Sequence, residues 1–209
     1  MGGGGPTLLC KCWCVRNPLA DPQIPMIKAI IFDTETTGLT LPRVADVAKQ
    51  PRIIDIGIRV VDARNGNVIA DMEQLINPEM VISEEITKIG GITNEMLAGK
   101  RTFKEIVPEL NCMFDGVDML LAHNAPFDVS VLTYELMRVG ANDKFSWPKD
   151  IICTAHEYAS LVGFLPRLTD LYLKVMGEEL KQLHRAMPDV IALHQILVKD
   201  DFFQKLGVV

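Results

Sequence analysis

Asp33 and Glu35 stand two residues apart at the end of an apolar run, Ile27 to Phe32. In an extended strand that spacing sends both carboxylates to one face. Two adjacent carboxylates repel, and a shared cation relieves the repulsion. Hard oxygen donors of this kind suit Mg²⁺ or Mn²⁺. The pair alone is a weak signal, equally compatible with two solvated acids. A third acid, Asp128, falls in the first turn of a predicted helix opened by Pro126, directly after the buried run Met119 to Ala122. A fourth, Asp189, opens the last predicted helix, with His184 in the loop just before it. Singly, Asp128 and Asp189 read as acids favoured at a helix N-terminus, and His184 as a surface histidine.

Taken together, three segments resemble the motifs of the DEDDh exonuclease family, which includes the epsilon-type proofreading subunit of bacterial replicative polymerase. Phe32-Asp33-Thr34-Glu35-Thr36-Thr37-Gly38 resembles the first motif, His123-Asn124-Ala125-Pro126-Phe127-Asp128 the second, and His184-Arg185-Ala186-Met187-Pro188-Asp189 the third. The similarity runs from Ile27 to about Leu197. A Tyr in place of His184 would mark the DEDDy branch. The first segment is also similar to the haloacid-dehalogenase phosphatases, but that family expects Asp where Glu35 stands and leaves the other two motifs unexplained.

The resemblance implies a 3′-to-5′ exonuclease releasing nucleoside 5′-monophosphates from single-stranded or frayed DNA ends, with proofreading as one setting. It implies two Mg²⁺ ions about 4 Å apart, replaceable by Mn²⁺, on Asp33, Glu35, Asp128 and Asp189, clamping the attacking and leaving oxygens. It makes His184 the general base, the role histidine most often fills in proton transfer. Substrate contacts carried over are Thr36, Thr37 and Gly38 around the terminal nucleotide, Leu39 and Ile92 as apolar neighbours, Asn124 as a polar contact and Phe127 as a stacking ring. Phe127 reads equally as a core anchor of its helix. In Ile89-Gly90-Gly91-Ile92-Thr93-Asn94-Glu95-Met96 the family's usual His is replaced by Gly90, which removes one expected polar contact. The partner is a nucleic-acid 3′ end, DNA in preference to RNA, with a DNA polymerase as a further partner. The alternatives are an exoribonuclease or oligoribonuclease of the same family and a non-catalytic polymerase-docking module. Five retained chemical residues speak against the last.

The elements that must position these groups follow from pattern. Ile27 to Asp33, Ile53 to Asp62 and Val68 to Ile76 read as strands, the last two joined at Asn65-Gly66, a strong hairpin signal. Leu39 to Pro51 reads as a surface excursion. Ser83 caps a short helix, and Thr102 with Glu105 forms a capping box for a helix to Phe114. Met119 to Ala122 and Asp150 to Thr154 are two further strands, separated by a helix from Pro126 to Arg138 that Gly140 terminates. Helices are expected over His156 to Val162, Thr169 to Met176 and Pro188 to Leu206. Three meandering strands followed by two alternating with helices predict an α/β ribonuclease H-like fold: a mixed five-stranded sheet, a three-stranded antiparallel meander plus two parallel strands, flanked by helices.

At 209 residues the chain suits one domain, expected over residues 26–209 after a poorly ordered 1–25 extension. Within that extension Cys10, Cys12 and Cys14 lack the spacing of a structural zinc site. Five cysteines and no export signal argue against a disulfide framework, and Met26 is a candidate start. No apolar stretch reaches the roughly 18 residues of a membrane span, so the expectation is a cytoplasmic protein without a membrane partner. With 21 Lys+Arg against 27 Asp+Glu, the net charge of −6 argues against a broad basic face for duplex nucleic acid. Two divalent ions on four of those carboxylates would leave about −2, compatible with engaging a few terminal nucleotides.

Overall fold

The computed structural model describes residues 26–43, 45–181 and 184–207. The expected 1–25 extension, with Cys10, Cys12 and Cys14, lies outside them. Three antiparallel strands open the fold: β1 (Lys28–Thr36), β2 (Ile53–Asp62) and β3 (Val68–Leu75). Short helices α1 (Glu84–Gly90) and α2 (Asn94–Leu97) lead to α3 (Phe103–Phe114). Then come β4 (Met119–Ala122), α4 (Ala125–Arg138) and β5 (Asp150–Cys153), followed by α5 (Thr154–Glu157), α6 (Ala159–Val162), α7 (Leu168–Met176), α8 (Ala186–Lys199) and α9 (Phe202–Lys205). The sheet order is β3-β2-β1-β4-β5, with β4 parallel to both β1 and β5. This is the mixed ribonuclease H-like sheet expected from sequence. Among the described residues no helix is long and apolar enough to cross a membrane.

Alternation along the central strands builds two cores. Ile30 and Phe32 of β1 with Leu120 of β4 face Ile106, Leu110 and Phe114 of α3 and Val131 and Leu132 of α4. Ala29 and Ile31 with Leu121 face Leu171 of α7 and Val190, Leu193 and Ile196 of α8. Both faces of β1 and β4 are therefore covered, which explains their unbroken apolar runs. The turn between β2 and β3 requires its glycine: Gly66 has φ of 75°, and a Cβ there would sit 2.8 Å from the Phe203 ring. The capping box forms, with Glu105 Oε2 accepting from the Thr102 backbone N–H at 2.7 Å.

Two expected helices are interrupted. Instead of a single helix over His156 to Val162, α5 and α6 are separate four-residue turns that meet at Tyr158. The last helix starts at Ala186, two residues before Pro188, and stops at Lys199. Asp201 takes φ of 51°, and Asp200 accepts from Tyr158 Oη and Lys205 Nζ, so the chain turns before α9. The Tyr158–Asp200 bond joins the two breaks across 42 residues, a contact that helical periodicity does not encode.

Candidate active site

Residues Asp33 and Glu35 leave the α8 side of β1, the same parity as Ala29 and Ile31. Asp189 sits in the first turn of α8. One carboxylate oxygen from each of the three lies within 4.8 Å of the others, a grouping able to hold a metal ion. Asp128 and His184 stand outside that set. Asp128, in the first turn of α4, is 2% exposed and approaches from the opposite side of β1. Its Oδ1 accepts from the Thr34 backbone N–H at 3.0 Å and from Thr34 Oγ1 at 2.7 Å, so the residue between Asp33 and Glu35 ties the second motif to the first. His184 lies exposed in the loop before α8 with φ of 43°.

The carboxylates resist ionising together. Burial, then Asp128, Asp189, Glu35 and Asp55, push Asp33 well above the usual carboxylate range. Burial, then Asp189 and Asp55, raise Glu35 to about 7 against the opposing pull of Arg185. Burial raises Asp128 to about 7 despite its bonds from Thr34. Clustered acids of this kind are tolerated where a cation joins them, and their all-oxygen donor set fits a hard divalent ion.

The expected substrate contacts divide. Leu39 stands 80% exposed on the loop leaving β1, and Asn124 is exposed in a left-handed conformation at the start of α4. Thr36 and Thr37 shape that loop: Thr36 Oγ1 donates to the Gly38 carbonyl at 2.6 Å, and Thr37 Oγ1 accepts from the Arg52 backbone N–H. Phe127 is half-buried against the core beneath α4. Ile92 departs from expectation. It is 0% exposed and packs with Ile54, Ile82 and Leu97, so it presents no surface to a nucleoside in this structure. Pattern could not separate an apolar residue facing substrate from one facing a satellite core. Gly90, at the position of the missing His, lies against the third motif, where an added Cβ would come within 3.2 Å of the His184 carbonyl.

Several supporting residues escaped sequence reasoning. Asp55 of β2 is fully buried and Gly57 abuts the start of α8. Asp55 and Gly57, which with Arg59 interrupt the otherwise apolar Ile53 to Val61 run, were the available signal. His123 is structural: its Nε2 donates to the Pro166 carbonyl at 2.9 Å, and burial lowers its pKa.

A family model named for RNase T and described as an exonuclease matches residues 30–197, spanning all three acidic segments. The chain belongs to that exonuclease family. The chain is 29% identical over 195 residues to "DNA polymerase III PolC-type" of Thermotoga petrophila, covering 93% of its own length and 13% of that protein. It is 42% identical over 105 residues to "DNA polymerase III subunit epsilon" of Treponema pallidum, covering 50% of its own length and 44% of the relative. The chain thus spans a small fraction of the first relative and under half of the second. Its fold is similar to that of a full-length 3′-exonuclease, with a TM-score of 0.65 at 16% identity over 83% of this chain and 60% of that one.

Proposed function

We propose that the chain removes nucleotides from the 3′ end of single-stranded or frayed DNA, releasing nucleoside 5′-monophosphates. The observation that carries this reading is the approach of Asp33, Glu35 and Asp189 to within 4.8 Å, with Asp128 held beside them by Thr34. Solvated surface acids have no physical reason to be packed so closely at the ends of three elements. The DNA polymerase III relatives support DNA over RNA as substrate.

In this reading Asp33, Glu35, Asp128 and Asp189 would hold two Mg²⁺ ions. Divalent cations supply charge neutralisation at the scissile phosphate and lower the pKa of an attacking water. The chain's own residues do the rest. His184 accepts the water's proton on an imidazole nitrogen; its exposed position leaves it able to pass that proton to solvent. Leu39 and the Thr36 to Gly38 turn offer an apolar and backbone rim to the terminal nucleotide, and Asn124 a polar contact. The exposed edge of Phe127 adds stacking, worth about 1 to 3 kcal/mol per base and indifferent to sequence.

The test incubates purified protein with 5′-labelled single-stranded DNA, duplex DNA and RNA, with and without Mg²⁺, beside Asp33→Ala. The expected result is an Mg²⁺-dependent ladder shortening from the 3′ end of DNA, absent from the variant. Equal cleavage by Asp33→Ala overturns the assignment, and RNA degraded in preference to DNA overturns the substrate.

A further inference from the structure

The third motif is held down by a residue of another element. Asp55 is 0% exposed, and its Oδ2 accepts from Arg185 Nε at 2.6 Å and from the Ala186 backbone N–H at 3.3 Å. Its Oδ1 is buried without a hydrogen-bond partner. In the sheet Asp55 is paired with Glu35, so a buried acid has been set beside an acidic cluster that already repels it. Burying a charge is costly unless it is paired, and here a single guanidinium compensates it. That guanidinium reaches further, since Arg185 Nη2 donates to Glu73 Oε1 on β3 at 3.2 Å. Arg185 therefore spans two strands from the residue next to His184.

His184 has a backbone that needs such restraint. Its φ of 43° is a conformation that L side chains rarely adopt, and it persists where neighbouring structure over-determines it. On one side its carbonyl is backed by Gly90. On the other, Arg185 and Ala186 are both bonded to Asp55, and Gly57 lets the Ala186 backbone come so close to β2 that a Cβ there would lie 2.6 Å from its carbonyl carbon. An acid buried for packing alone would not need to take its bonds from the two residues that immediately follow the strained one.

We propose that the Asp55–Arg185 pair is a positioning clamp for His184: it fixes the backbone of the third motif, and with it the direction in which the imidazole leaves the chain. Neither residue touches substrate; the clamp acts through His184, apart from the field both residues exert on Glu35. The inference rests on His184 being the general base.

The clamp is tested with Arg185→Ala and with Arg185→Ala/Asp55→Asn, the second leaving no unpaired buried charge if the first fails to fold. Each is made in the parent and in His184→Ala, and assayed with Mg²⁺ and 5′-labelled single-stranded DNA at a temperature where circular dichroism shows the folded form. In the parent, kcat is expected to fall by up to about 100-fold, the scale of a misplaced catalytic group. KM should stay within about threefold, because an interaction of the transition state alone has been lost. In the His184→Ala background the same changes should cost less than about twofold, since residues acting as a unit are not additive. Arg185→Lys, which keeps the charge, should recover part of kcat. Unchanged kcat in the folded variants, or an equal fractional loss in both backgrounds, overturns the clamp. Full turnover by His184→Ala alone overturns the general base, and the clamp with it.

Discussion

Thr34 determines how Asp128 enters the acidic group. Two donors from one residue, the backbone N–H at 3.0 Å and Oγ1 at 2.7 Å, converge on a single oxygen of a buried carboxylate. Thr34→Val keeps the shape and removes the hydroxyl donor. Above about pH 7, where Asp128 is ionised, a hydrogen bond to the charged group is worth about 1.5 to 3 kcal/mol, so chemical denaturation there should register a loss on that scale and turnover should fall with it. His184→Ala belongs at the same scale. The expected outcome is kcat lower by about 10² to 10⁴ with little change in KM, measured with Mg²⁺ present. The acids themselves could be read from spacing, because strand alternation and helix starts fix where a side chain points. Thr34 and Asp55 could not, because their partners lie 94 and 130 residues away in sequence.

Among the elements, α8 carries the third motif and its seat on β2 sets where Asp189 and His184 fall. Its contact side of β2 is unusual: Asp55 bonds Ala186, Gly57 abuts the Ala186 and Met187 backbone, and Arg59 Nη1 lies 3.1 Å from His194 Nδ1. Gly57→Ala forces a Cβ to within 2.7 Å of Ala186 O and Met187 N, neither of which is a flexible side-chain end. Overpacking of this kind costs typically about 1 to 3 kcal/mol, equivalent to roughly 2 to 12 °C in Tm for a domain of this size. Turnover per folded molecule should fall as well, because α8 must move to make room; unchanged turnover would show that the helix seat does not set the site. The strands and the Thr102 capping box were legible because each is a local pattern with a local cause. The split of the last helix was not, because Tyr158 supplies a bond to Asp200 from 42 residues away.

For the molecule as a whole, the acidic cluster links stability to pH and to metal. Glu35 and Asp128 ionise near 7 in the folded chain but near 4 in an unfolded one. Between those values the folded state binds more protons, so without metal the stability they contribute is fully present below about pH 4 and is lost as pH rises through about 7. Differential scanning in EDTA should show Tm falling from pH 5 to pH 8 in the parent, and a shallower fall in Asp128→Asn. Added Mg²⁺ should raise Tm at pH 8 in the parent by the linkage expected of a ligand bound only to the native state, about 2.7 kcal/mol at 100 times Kd. A parent Tm indifferent to Mg²⁺ at pH 8 would remove the metal from the account.

The sequence by itself determined the order of strands and helices, the face of β1 from which Asp33 and Glu35 emerge, and the three acidic segments, because those depend on periodicity, caps and turns acting over a few residues. Only the tertiary structure decided that Asp33, Glu35 and Asp189 meet while Asp128 is drawn in through Thr34, that Ile92 is core, and that Asp55 grips the residues after His184. Those outcomes turn on distances between elements and on how like charges are accommodated in a shared low-dielectric space, and neither is set until the sheet has closed under α4 and α8.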